Sequence, residues 1–161
     1  MVELKKYNAN PKNRKTTDCV IRAISIASGV EYNKVLDDLV MVYKDTGYHM
    51  GEKRTYEKVL QLYGFEKQPM VFKDNGKKYK VGEIDQLVPD YKVAVVSMAN
   101  HLSAYVYGML IDTWDCRNKS ALNVYVKVRP FDGYEKQKYT QCESIKRRVL
   151  WKTTLLIWLK T

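Results

Sequence analysis

The stretch Asp18-Cys19-Val20-Ile21-Arg22-Ala23-Ile24-Ser25-Ile26-Ala27-Ser28-Gly29 decides the fold. Val20, Ile21, Ala23, Ile24, Ile26 and Ala27 run nearly all round a helical wheel, which predicts a central, buried helix. Thr16, Thr17 and Asp18 have side chains suited to cap free N–H groups at its start, and Gly29 is a stop residue. Cys19 then falls in the first turn. The preceding residues 1–17, with Asn10-Pro11-Lys12-Asn13, read as an irregular polar arm.

Downstream, Val35, Leu36, Leu39, Val40 and Tyr43 recur at helical spacing and predict a helix over about Asn33 to Lys44, broken by Gly47. Tyr56, Val59, Leu60 and Tyr63 predict another over Lys53 to Tyr63, closed by Gly64. The period then changes. Met70 to Phe72 reads as a short strand, Asp74-Asn75-Gly76 as a turn, and Val81 to Leu87 as a short helix before Pro89. Lys92 to Met98, His101 to Tyr107, Met109 to Thr113 and Ala121 to Val128 follow as antiparallel strands, with a tight hairpin at Tyr107-Gly108. The expected class is α+β, with the Cys19 helix packed on a C-terminal antiparallel sheet. Residues 1–132 form the expected domain, and residues 133–161 a basic and apolar extension packed on it.

The 161 residues are 45% apolar, enough for one core. No uninterrupted apolar run approaches the length of a membrane span, and Met1 to Lys15 lacks an apolar signal core, so a cytoplasmic protein without a transmembrane segment is expected. Cys19, Cys116 and Cys142 make neither an even disulfide framework nor a CxxC pair, which favours free thiols. The 28 Lys and Arg outnumber the 18 Asp and Glu, bunching at Lys12 to Lys15, Lys77 to Lys80 and Lys146 to Arg148. A basic surface of this kind attracts nucleic acid, anionic membrane surfaces or acidic proteins, although lysine runs alone define no recognition geometry. In the tail, Val149 to Leu159 with Trp151 and Trp158 reads as a final strand or helix completing the core, the strand favoured by its β-branched and aromatic residues, as an interfacial anchor or as a self-association surface.

A cysteine nucleophile needs its thiolate, which a helix N-terminus and a neighbouring imidazole both favour. Cys19 is placed for the first effect, while Asp18 opposes it if its carboxylate faces the sulfur. Only His49 and His101 could supply the imidazole. His49 reads as a solvent-exposed loop residue, whereas His101 opens a strand, where a sheet holds a base rigidly. Asp112, eleven residues on, interrupts the apolar run Met109-Leu110-Ile111 and needs a partner; His101 across the hairpin would be one. Cys116 reads as a packed or partly exposed thiol. No phosphate-binding glycine loop and no metal-ligand spacing is present, so neither cofactor nor metal is expected. Tyr105, Tyr107 and Tyr125 read as sheet packing before they read as base-stacking platforms.

Thr17-Asp18-Cys19-Val20-Ile21-Arg22-Ala23-Ile24, followed by His101-Leu102 and Ile111-Asp112-Thr113-Trp114-Asp115-Cys116, resembles the papain-like cysteine peptidases. The likeness is nearest to small phage and prophage proteins of that type and more distant to bacteriocin-processing peptidases. It covers about residues 7 to 128. It implies a papain-like fold and a peptidase or isopeptidase acting on a protein or peptide. Cys19 would be nucleophile, His101 base and then acid, and Asp112 the orienting residue. It also implies an oxyanion donor about six residues before the cysteine, usually Gln; Asn13 stands there, and Asn10 or the Cys19 backbone N–H could serve instead. The other reading is a phage-type binding or anti-defence protein that keeps the fold and uses its basic surface without catalysis.

Overall fold

A computed structural model describes residues 1–14 and 17–129. The described residues fall in the first of two units, residues 1–130. The tail and its three readings lie outside the described residues. The first unit is α+β, with three helices, α1 (Cys19–Ser28), α2 (Tyr32–Thr46) and α3 (Lys53–Leu62). Six strands follow the order β1 (Glu3–Lys6), β5 (Met109–Asp112), β4 (His101–Val106), β3 (Val93–Met98), β6 (Asn123–Lys127), β2 (Phe65–Lys67) across one sheet. Among the described residues no helix is long and apolar enough to cross a membrane.

The helices end where glycine permits a left-handed residue: Gly29 closes α1 at φ 72° and Gly47 closes α2 at φ 75°. After α3, Gly64 at φ 81° admits the chain into β2. A Cβ there would lie 2.3 Å from the Arg129 carbonyl oxygen, so only glycine fits. β3 and β4 are almost wholly buried, which their near-continuous apolar runs require. They pair through a two-residue loop at Ala99-Asn100, with Met98 opposite His101 and Asn100 at φ 54°. A second two-residue loop, Tyr107-Gly108, returns β4 into β5 with both residues at positive φ. Tyr105 and Tyr125 are buried in the sheet, as packing residues should be.

The sheet is mixed, unlike the antiparallel one expected, because β1 pairs in parallel with β5 from Glu3↔Met109 to Lys6↔Asp112. The supposed irregular arm therefore contains an edge strand. Its charges, Glu3, Lys5 and Lys6, suit an edge, while Val2 is buried in the core. Met70 to Phe72 forms no strand, only a bridge between Phe72 and Lys78, and Val81–Gln86 is a 3-10 helix. Of the sheet strands, α1 packs chiefly on β4 and makes smaller contacts with β3 and β5. That contact sets its N-terminus beside the start of β4.

Candidate functional site

Cys19 is the first residue of α1, and Arg22 N–H closes the first turn onto the Asp18 carbonyl. Asp18 occupies the N-cap position but does not cap with its side chain. Its Oδ1 accepts from Arg22 Nη1 at 2.7 Å, and its Oδ2 accepts from Tyr32 Oη at 2.7 Å and Asn10 Nδ2 at 2.8 Å. The Arg22–Asp18 pair is buried, with side chains 9% and 7% exposed. Arg22 thus offsets the negative charge next to Cys19, while the N–H groups of the first turn remain for the sulfur or a ligand.

On the sheet, His101, Ser103 and Tyr105 alternate onto one face of β4. Continuing the Ala104↔Ile111 register by one step sets Asp112 opposite Ser103, diagonal to His101 on the same face. The two side chains meet, with His101 Nε2 2.7 Å from Asp112 Oδ2. Asp112 is held in turn: Oδ1 accepts from the Thr113 N–H at 2.7 Å, and Oδ2 lies 3.5 Å from the Cys116 thiol, which donates to it. β1 braces the backbone, since Tyr7 N–H donates to the Asp112 carbonyl at 2.9 Å. The Trp114 ring covers His101 with centroids 5.1 Å apart.

With Nε2 engaged by the carboxylate, Nδ1 is the ring nitrogen left for Cys19. Burial pushes the Cys19 thiol up, but hydrogen bonds from His101 and the Leu102 N–H, with the positive charges of His101 and Arg22, bring it below its ordinary value of 9.0. Burial disfavours the His101 imidazolium, yet hydrogen bonds to Asp112 and Cys19 raise its pKa from 6.5 to about 9. Burial raises the Asp112 carboxyl, and its bonds to His101 more than reverse this, so it is held below 3.8. All three directions favour a thiolate, an imidazolium and a carboxylate in succession. Cys116 is the opposite case: burial and the adjacent Asp112 push its thiol up to about 12.

Cys19, His101 and Trp114 line an open cleft of about 810 Å³, with Asn100, Lys53 and Tyr56 also in its walls. Of the residues singled out in the sequence, Cys19, His101 and Asp112 come together. His49 does not; it lies in an exposed loop, where Nδ1 accepts from the Gly51 N–H at 3.2 Å. Asn13 also stands apart from the cleft walls. It is exposed at φ 50°, and its Oδ1 accepts from Asn8 Nδ2. Asn10 is committed to Asp18 and Tyr32. Trp114, Lys53 and the Asp18–Arg22–Tyr32 network were not identified from sequence, although the Asp18/Arg22 spacing of four within a helix start was a readable signal.

His101, Asp112 and Cys116 place donor atoms within 4.8 Å of one another, a spacing that could hold a metal ion. Those atoms already satisfy one another by hydrogen bonds to Asp112 Oδ2, and a thiol of pKa about 12 gives up its proton reluctantly to a cation. The set fits a proton-holding chain better than a metal centre. No family model matches this chain, and no curated protein or solved structure matches it either.

Proposed function

We propose that the chain is a cysteine-nucleophile hydrolase of papain-like type, acting on a peptide or isopeptide carbonyl. The observation that carries the reading is Cys19 beside His101 at the wall of an open cleft, each shifting the other's pKa, with His101 Nε2 bonded to Asp112 behind it. The Cys19 thiolate attacks the carbonyl carbon, forming a C–S bond and leaving negative charge on the carbonyl oxygen. The His101 imidazolium gives its proton to the departing amine as the C–N bond breaks. Water then attacks the thioester, with neutral His101 taking its proton. Breaking the C–S bond releases a carboxylic acid and restores the starting pair. Asp112 holds the ring and stabilises its charged form. The oxyanion falls to backbone N–H groups at the start of α1, Cys19 foremost, because the amides of Asn13 and Asn10 are placed elsewhere.

The test is alkylation of Cys19 by iodoacetamide as a function of pH, read by peptide mapping to separate it from Cys116 and Cys142. Cys19 should react at pH 6 at least about tenfold faster than a free thiol peptide, and His101→Ala should abolish that advantage. Equal rates at pH 6, unaffected by His101→Ala, would refute the enzyme and leave a binding protein. Such a protein should be retained on heparin with a steep salt dependence.

A further inference from the structure

The wall of the cleft carries more positive charge than its carboxylates balance. Lys53 lines it at the start of α3 and is half exposed. Its ammonium reaches Glu57 Oε1 only at 4.0 Å and Asn123 Oδ1 only at 3.5 Å, both at the outer limit of useful contact. That same Glu57 oxygen is already taken by Tyr125 Oη at 2.8 Å and faces Lys67 Nζ at 3.4 Å. Two ammonium groups therefore share one carboxylate, and the proximity of Lys67 pulls the Lys53 pKa down, as expected of crowded like charges. The other cations in the wall are committed, Arg22 to Asp18 and the His101 imidazolium to Asp112. Among the described residues no Asp or Glu lines the cleft. The nearest by sequence, Glu52, turns Oε1 onto the His49 N–H at 3.0 Å. An anion arriving at Lys53 would relieve this repulsion and displace no existing strong pair.

We propose that the cleft selects acyl substrates bearing a carboxylate side chain near the reacting carbonyl, with Lys53 as the residue that receives it. The inference rests on the reading of Cys19 as a nucleophile. Met98, Tyr56 and Trp114 supply apolar walls for the rest of such a chain.

The test compares two reagents of like size, iodoacetate and iodoacetamide, on the full-length protein at pH 7. In both, the Cys19 thiolate forms an S–C bond as iodide leaves; only iodoacetate carries a charge. The readout is the ratio of the two rate constants. Lys53→Gln should lower the iodoacetate-to-iodoacetamide ratio about three- to fivefold, the effect of one half-exposed charge acting over several ångströms. Lys53→Glu should lower it further, and Lys53→Arg should restore it. Lys44→Gln, which removes the same charge from the end of α2 outside the cleft, should leave the ratio as in the wild type. A ratio unchanged by Lys53→Gln, or changed equally by Lys44→Gln, overturns the assignment while leaving the nucleophile intact. Slow alkylation of wild-type Cys19 by both reagents sinks the hydrolase reading, and the substrate preference with it. Circular dichroism of each variant confirms folding; Lys53 is half exposed, so its replacements should fold.

Discussion

Replacing Asp112 with Asn keeps a hydrogen-bond acceptor beside His101 and removes only the charge. Burial works against the imidazolium, yet His101 rises from 6.5 to about 9 through its bonds to Asp112 and Cys19. At roughly 1.4 kcal/mol per tenfold in proton affinity, that rise favours the charged ring by about 3 kcal/mol. If the Asp112 charge supplies half, Asp112→Asn weakens the imidazolium by about 1.5 kcal/mol, and the ratio of thiolate–imidazolium to thiol–imidazole falls about tenfold. Two measurements read this. The alkylation rate of Cys19 at pH 6 should drop by up to about tenfold, and the His101 ring, one of only two histidines, should titrate at lower pH by NMR. Hydrolysis should survive in part, whereas Cys19→Ala should abolish it. A rate within about twofold of wild type with an unmoved His101 titration would refute the charge argument. Loss as complete as in Cys19→Ala would show that Asp112 does more than hold and charge the ring.

Cys19→Ser should alter how stability depends on pH. In the wild type the lowered Cys19 pKa contributes stability that grows as pH rises toward 9, while the raised His101 pKa contributes stability that is full below 6.5 and lost as pH rises through about 9, so the two run in opposite directions. With serine only the part of the His101 shift that Asp112 supports remains, and the variant's Tm should fall relative to wild type between pH 6.5 and 9 by scanning calorimetry; parallel curves would contradict this. Asn13→Ala should leave kcat within about twofold, since Asn13 is exposed and outside the cleft; a loss of about tenfold or more would return the oxyanion role to it. Arg22→Ala leaves the buried Asp18 carboxylate with only Tyr32 and Asn10 among the partners described above, and should cost roughly 3 kcal/mol in urea unfolding; less than about 1 kcal/mol would mean that water reaches Asp18.

What the sequence made legible was whatever carried a strong local pattern. The apolar wheel of α1, the glycines at 29 and 47, the β-branched run of β3 and the apolar run of β4 each announce an element without help from the rest of the chain. The pairing of His101 with Asp112 was legible because the hairpin between them is short and a carboxylate in an apolar strand demands a partner. β1 was not, since Glu3-Leu4-Lys5-Lys6 carries three charges and gains strand character only from the β5 edge it meets. β2, three residues long, is fixed by β6 in the same way. Asp18 misled because its residue type favours capping, while tertiary contacts with Tyr32 and Asn10 compete for the same oxygens. The crowding of Lys53 and Lys67 at Glu57 depends on β2 and α3 meeting, which no local spacing encodes.

The β1–β5 pairing also orders events in time. Lys6 and Asp112 lie about a hundred positions apart, so the strand that braces Asp112 must wait for nearly the whole domain to leave the ribosome. α1 and its thiol emerge early, but the imidazole that shares the proton and the Leu102 N–H that supports the sulfur arrive some eighty residues later. Until then Cys19 is an ordinary thiol, mostly protonated at neutral pH. On the reading of Cys19 as a nucleophile, the nascent chain thus carries this sulfur in its protonated form past the surfaces of chaperones and neighbouring polypeptides, and completion of the sheet switches it on.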